Sequence, residues 1–328
     1  MLAGMRICVL GAGAIGGFVG ARLAASGLET SAVARGATLA ALQQHGWRVR
    51  SEQGLLTAPV RAVSDAAELG EQDLVVLAVK GQSLEAALPA LTPLIGPDTL
   101  VVAALNGVPW WFLDGFGGPC EGRRLAAVDP HGRIAAAVPT RQVLGCVVHM
   151  SCSIPEPGLV RHVGGSGLIL GEPDGTDSAR VREVAALLGA AGFEATVSER
   201  IQRDVWYKLW GNMTINPVSA LTGATADRIL DDELVRDFCH AVMREAAEVG
   251  AAIGCPIAER PEDRSKLTRK LGAFRSSMLQ DADAGRSLEL DPLVGAVREI
   301  GGMVGVPTPG IDALLGLTRL SARVRDLN

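Results

Sequence analysis

The segment Ile7-Cys8-Val9-Leu10, followed at once by Gly11-Ala12-Gly13-Ala14-Ile15-Gly16, constrains this chain more than any other feature. Four apolar residues in a row suit a strand buried on both faces. A GxGxxG run directly after such a strand, opening a helix over Ile15–Ser26, has the spacing of a phosphate-cradling turn. Gly11 permits the tight turn, Gly13 lets the backbone approach a pyrophosphate, and Gly16 lets helix and strand pack closely. Free N–H groups at the helix start, around Ala14 and Ile15, then hold phosphate oxygens. The plain alternative is a glycine-rich turn with no ligand. Arg6 and the apolar run after it also imitate an export signal, but the five glycines between Gly11 and Gly20 weaken an inserted helix.

Further strand-like runs lie at Ser31–Ala34, Leu74–Val79, Leu100–Leu105 and Leu144–His149. They alternate with helical stretches at Thr38–His45 and Ser83–Leu94, the pattern of a parallel sheet covered on both faces. Val49–Val63 reads as a small hairpin, and Gly158–Gly171 as two short strands before a helix over Ser178–Ala191. Beyond about Ser198 the strand runs stop. Helices are expected at Ile201–Asn216, Asp231–Gly254, Arg264–Asp281, Asp291–Val304 and Ile311–Arg325. The expected fold class is α/β: an N-terminal Rossmann-like, doubly wound, mostly parallel sheet over residues 1–198, then a C-terminal all-helical domain over 199–328.

A length of 328 residues fits two domains, and a composition 48% hydrophobic and 20% charged supplies sizeable cores. Lys and Arg total 31 against 36 Asp and Glu, a net charge of −5, so nucleic acid is not an expected partner. No later apolar run reaches the roughly 18 residues of a membrane span. The six cysteines show no CxxC pair and the five histidines no ligand-like cluster, so no metal site is expected and the thiols read as free. Cytoplasmic residence follows as the expectation.

The second strand selects the cofactor. An Asp or Glu at its end would bind the ribose 2′-hydroxyl of NAD, but here the chain reads Ala32-Val33-Ala34-Arg35-Gly36. A guanidinium there pairs with a 2′-phosphate, so NADPH/NADP is favoured over the bland reading of Arg35 as a solvated loop residue. Lys80 and Asn106 each follow a predicted strand, facing the cofactor crevice or merely serving turn chemistry. In the helical half, Lys208, Asn212 and Asn216 fall on one stripe, opposite Trp206 and Trp210. That stripe is either a set of donors gathered around a carboxylate or carbonyl, or a solvated polar face. Pro217 is expected to end the helix just after Asn216.

Taken together, GAGAIGG at 11–17, VARG at 33–36, AVK at 78–80, NG at 106–107, KLWGNMTINP at 208–217 and SSMLQDADAGRSLELD at 276–291 resemble the ketopantoate reductase (2-dehydropantoate 2-reductase) family, in its order along nearly the full chain. The resemblance implies NADPH-dependent reduction of a 2-keto acid to a 2-hydroxy acid, most simply 2-dehydropantoate to pantoate in pantothenate biosynthesis. It places the family's general-acid lysine on Lys208 and the glutamate that orients it on Glu289. Asn106, Asn212, Asn216 and Ser277 fall on residues that hold substrate or the nicotinamide end, and Lys80 on a cofactor-side lysine. The active site is then expected in the cleft between the two domains. Asp281, Asp283 and Asp291 read as caps or solvated charges.

The chain departs from the family after Asn106-Gly107, where Val108-Pro109-Trp110-Trp111-Phe112 and about two dozen extra residues, roughly Asp114–Pro139, follow. These aromatics either reshape the substrate pocket or pack beneath the extra loop. A bulkier 2-keto acid is therefore an alternative substrate, and a non-catalytic NADP-binding sensor a second alternative. A homodimer is also open.

Overall fold

In the computed structural model, residues 4–327 are described. The chain forms two compact units, Met1–Leu105 with Gly132–Ile201, and Asn106–His131 with Gln202–Asn328. The stretch Asn106–His131 thus packs with the helices, whereas the sequence reading placed it within residues 1–198.

The first unit runs β1 (Ile7–Leu10), α1 (Ala14–Ala25), β2 (Thr30–Val33), α2 (Gly36–His45), β3 (Trp47–Ser51), β4 (Gly54–Ala58), β5 (Arg61–Val63) and β6 (Leu74–Leu77). It continues with α3 (Leu84–Leu91), β7 (Leu100–Ala103), α4 (Arg133–Ala137), β8 (Val143–Glu156), β9 (Leu159–Gly171), α5 (Ala179–Ala190) and β10 (Glu194–Val197). The strands form one sheet ordered β4-β3-β9-β8-β7-β6-β1-β2-β5, with β10 also on β9. Every pairing is parallel except the hairpins β3–β4 and β8–β9. The stretch β5-β2-β1-β6-β7-β8 has the 3-2-1-4-5-6 order of a doubly wound sheet, with its topological switch between β1 and β6.

Helix α1 lies unusually close to the far part of this sheet because it lacks side chains there. A Cβ at Gly17 would sit 2.8 Å from Val160 of β9, and one at Gly20 2.5 Å from the Trp47 ring of β3. Trp47 is fully buried and its indole N–H donates to Thr30 Oγ1 at 3.0 Å, so the ring is fixed against the helix. The region expected to hold two short strands is one strand, β9, paired along β8. Gly165, at φ +77, sits at a register shift in the ladder and does not end it.

The second unit holds α6 (Ile201–Thr222), α7 (Ala226–Asp231), α8 (Glu233–Ala252), α9 (Pro261–Arg269), α10 (Ser277–Asp283), α11 (Ala296–Val304) and α12 (Pro309–Val324). Helix α6 runs on through Pro217 and does not stop at Asn216. The lost N–H bond is outweighed by burial of the following turn, in which Val218, Ser219 and Ala220 are 4%, 0% and 1% exposed. The single helix expected over Arg264–Asp281 is two, separated by Gly272 at φ +61 and restarted by Ser276 as N-cap of α10. Trp206 and Trp210 donate their indole N–H groups to the carbonyls of Ala246 and Met243 on α8, at 3.2 and 2.7 Å. That packing buries one side of α6 and leaves its Lys208 side half-buried. Among the described residues, no helix is long and apolar enough to cross a membrane.

Candidate active site

In the first unit the candidate nucleotide loop is built from close backbone approaches. Ala78, just past β6, donates its N–H to the carbonyl of Leu10 at the end of β1, at 2.9 Å. Gly11 bridges that junction at φ +102, where a Cβ would lie 2.6 Å from the Ala78 carbonyl carbon. At Gly16 a Cβ would meet the Gly11 carbonyl oxygen at 2.1 Å, so only glycine closes the turn onto the helix. Gly13 is different: a Cβ there meets nothing within 4 Å. It also N-caps α1 without a side chain, so no side chain caps the N–H groups of Ala14, Ile15 and Gly16. An uncapped helix start facing open space fits the pyrophosphate of a dinucleotide.

Arg35 stands exposed two residues beyond β2, and Lys80 is half-buried three residues beyond β6, at the head of a 3₁₀ turn (Gly81–Ser83). The glycine loop, Arg35 and Lys80 therefore all follow carboxyl ends of strands around the switch point. Ligands of doubly wound sheets bind at that edge.

In the second unit Lys208 Nζ donates to Asn106 Oδ1 at 2.8 Å. Lys208 and Asn212 are half-buried and Asn216 is buried, all on α6. Gly107, at φ +78, lies so close to Pro292 that a Cβ would be 2.5 Å from its carbonyl oxygen. That oxygen accepts the Val108 N–H at 2.8 Å. Pro292 belongs to a single π-helical turn, Asp291–Gly295, that begins two residues after the buried Glu289. A π-helical turn of this kind often marks a functional site. The contact ties Asn106, which holds Lys208, to the segment carrying Glu289. Sequence reasoning missed this coupling; an Asn-Gly followed by Val-Pro looks like any loop.

Ser277 is exposed at the start of α10, whereas Ser276 beside it is fully buried and caps the helix, its Oγ accepting from Leu279 N–H at 3.0 Å. Asp281 is not a solvated charge: it is 5% exposed and takes Arg286 Nε at 2.9 Å. Asp283 and Asp291 are exposed and pair with Arg275 and Arg319. Tyr207, next to Lys208, donates to Glu259 at 2.5 Å and accepts from Arg264 at 3.1 Å, which pins α6 to α9. Burial, then the Glu259 hydrogen bond, pushes its phenol upward. The Trp110–Leu113 stretch is core, with Trp111 and Phe112 at 1% and 0% exposure and the Phe112 ring 5.8 Å from Trp206.

None of the six cysteines forms a disulfide, and burial pushes Cys8 to about 11 and Cys152 and Cys239 to about 12, so these three stay protonated. Among the described residues no group of three or more His, Cys, Asp or Glu side chains has the arrangement of a metal site.

A doubly wound sheet with a glycine-rich phosphate turn, in one chain with a helical unit that presents an anchored lysine, defines the class of dinucleotide-dependent oxidoreductases. The sequence signature described as "Ketopantoate reductase PanE/ApbA" matches residues 7–175, and that described as "Ketopantoate reductase PanE/ApbA C terminal" matches residues 200–322. The chain belongs to the ketopantoate reductase family. It is 46% identical to a 2-dehydropantoate 2-reductase of Mesorhizobium japonicum over 96% of this chain and 97% of that one. It is 31% identical to the Halobacterium salinarum 2-dehydropantoate 2-reductase over 97% and 99%. A crystal structure from Ralstonia solanacearum MolK2, assigned provisionally as a ketopantoate reductase, is 60% identical and superposes with a TM-score of 0.95 over 99% of both chains.

Proposed function

We propose that this protein reduces 2-dehydropantoate to pantoate with NADPH. The observation that carries the reading is the Lys208 ammonium held 2.8 Å from Asn106 Oδ1, in a chain 46% identical to a curated enzyme of that name. The uncapped Gly13 turn suits the dinucleotide phosphates, and the exposed Arg35 suits a 2′-phosphate. When bound, NADPH supplies the hydride equivalent for the substrate carbonyl carbon. Lys208 Nζ stabilises the developing alkoxide and passes it a proton, which completes the 2-hydroxy acid. Asn106 fixes the ammonium, and Glu289 orients the lysine and takes a substrate hydroxyl. Asn212, Asn216 and Ser277 hold the polar ends of the substrate, and Lys80 serves the cofactor side.

The test is NADPH oxidation across a panel of 2-keto acids, with NADH as comparison. Preference for 2-dehydropantoate supports the assignment, and preference for another acid moves the substrate but keeps the chemistry. Tight NADPH binding without turnover would favour the sensor reading. Trp110 and Trp111 are 5% and 1% exposed, which supports packing beneath the extra loop over a direct place in the substrate pocket.

A homodimer through α12 completes the proposal. Leu317, Leu320 and Val324 are 57%, 53% and 76% exposed, and with Ala313 they form a stripe spaced four, three and four residues apart. Asp312 at the start of the helix is already paired with Arg298 at 2.7 Å, so the seam rests on the apolar stripe alone. A relative of this fold, the ketopantoate reductase of Staphylococcus aureus, is dimeric.

A further inference from the structure

Two buried hydroxyls that the proposed reaction does not use join α6 to α10. Ser219, three residues after Asn216, donates its Oγ–H to the Asn216 carbonyl at 2.9 Å. Its Oγ also meets the Oγ of Ser276. Ser276 Oγ in turn accepts the Leu279 N–H at 3.0 Å. Both serines are 0% exposed.

The proton inventory closes in one direction only. The Ser219 proton is committed to the Asn216 carbonyl, so Ser276 donates to Ser219 and keeps its own oxygen for Leu279 N–H. Each hydroxyl donates once and accepts once. A fully satisfied buried network of this kind rigidifies what it connects, because each bond polarises the next and any break strands a polar group away from water. It connects the backbone of Asn216 to the residue immediately before Ser277.

We propose that Ser219 and Ser276 are positioning residues that set the spacing of Asn216 and Ser277, and so the affinity of the site for the 2-keto acid. The proposal rests on the assignment of those two residues to substrate made above. The Ser276 hydroxyl also caps α10, but nothing in the packing calls for a hydroxyl at Ser219, where an alanine occupies nearly the same space without linking the helices. The pair therefore governs substrate KM and leaves the nucleotide loop, which lies in the other unit, untouched.

The test compares Ser219→Ala, Ser276→Ala, the double variant and Ser219→Thr in the full chain, measuring KM for 2-dehydropantoate, kcat, the NADPH Kd and Tm. Each single variant loses two hydrogen bonds, of which the one between the helices is common to both, and its loss should raise KM about tenfold, with kcat within about threefold and NADPH affinity unchanged. The double variant should raise KM by less than the product of the single effects, since both remove the same contact. Ser219→Thr, which keeps the hydroxyl, should restore KM. Single variants that lower Tm yet keep the wild-type KM would overturn the positioning role and leave a purely structural one, as would a threonine that fails to rescue. If the unaltered protein turns over no 2-keto acid while binding NADPH, the substrate assignment itself falls and takes this role with it.

Discussion

Replacing Lys208 by methionine keeps most of the aliphatic stem and removes the ammonium, which isolates the chemical role of Nζ from its packing. The structure sets the scale. Nζ is held at 2.8 Å by Asn106 Oδ1, so it is a placed donor and not a solvent-averaged charge. A positioned general acid contributes roughly 10²–10⁴ in rate, and a fixed donor at a developing oxyanion roughly 10²–10³. One ammonium does both, so the contributions overlap, and the expected fall in kcat is about 10³–10⁴, or about 4–5.5 kcal/mol of transition-state stabilisation. Asn106→Ala removes the 2.8 Å bond to the ammonium and should cost about tenfold to a hundredfold through loosened orientation. The assay is steady-state NADPH oxidation at saturating 2-dehydropantoate, beside the NADPH Kd from fluorescence and Tm from thermal unfolding. Both should stay near wild type, because Lys208 and the glycine loop belong to different units. A Lys208→Met protein that keeps kcat within tenfold of wild type would refute the general-acid assignment.

Arg35→Ala should weaken NADPH by about tenfold to a hundredfold, the worth of a hydrogen bond to a charged group, and leave NADH nearly unchanged; equal losses in titrations of the two would remove Arg35 from the 2′-phosphate. Gly20→Ala forces a methyl to 2.5 Å from a Trp47 ring that cannot retreat. Overpacking of about 1–3 kcal/mol should exceed the usual helical advantage of alanine, lowering Tm by several degrees, and Trp47→Phe in the same chain should recover part of the loss. His240 is buried against Ser265, 2.8 Å from its Nε2, and burial holds its pKa below the ordinary 6.5, with Glu262 opposing and Arg244 reinforcing. The unfolded chain therefore binds the extra proton first, so Tm should fall as pH drops from about 7 through the depressed folded value. That slope should be shallower in His240→Asn, and an identical pH profile would exclude the histidine as its source. Leu317→Asp with Leu320→Asp should convert the dimer to a monomer in light-scattering measurements while kcat persists; a monomeric wild type would dispose of the α12 seam.

The sheet was legible because its signals are local. Ile7–Leu10, the Gly11–Gly16 turn and the apolar runs after it state their strand character within a few residues each. What escaped was set by distant partners. Gly158–Gly171 reads as two short strands, yet β8 supplies a ladder that carries β9 on through a register shift at Gly164–Gly167. Pro217 read as a stop, yet the buried turn after it holds α6 together. The candidate site divides the same way. Lys208, Asn212 and Asn216 declare a common face by spacing alone, whereas the bond from Lys208 to Asn106 spans 102 positions and no periodicity encodes it. Trp110 and Trp111 invited a role in substrate recognition because aromatic residues beside a candidate nicotinamide position are chemically suggestive. Their burial in the helical unit follows from the path of the chain, which composition does not record.

That path has a consequence for dissecting the molecule. The polypeptide passes between its two units at Leu105/Asn106, His131/Gly132 and Ile201/Gln202, so the helical unit is assembled from two separate lengths of chain. A fragment starting at Ile201 would lack Phe112 against Trp206 and the amide that anchors Lys208. A fragment ending near residue 200 would carry Trp110 and Trp111 with nothing to cover them. Chimeras with relatives should therefore keep both lengths of the helical unit from one parent, and a single chain that joins 106–131 to 202–328 through a linker is the rational starting point for expressing that unit by itself.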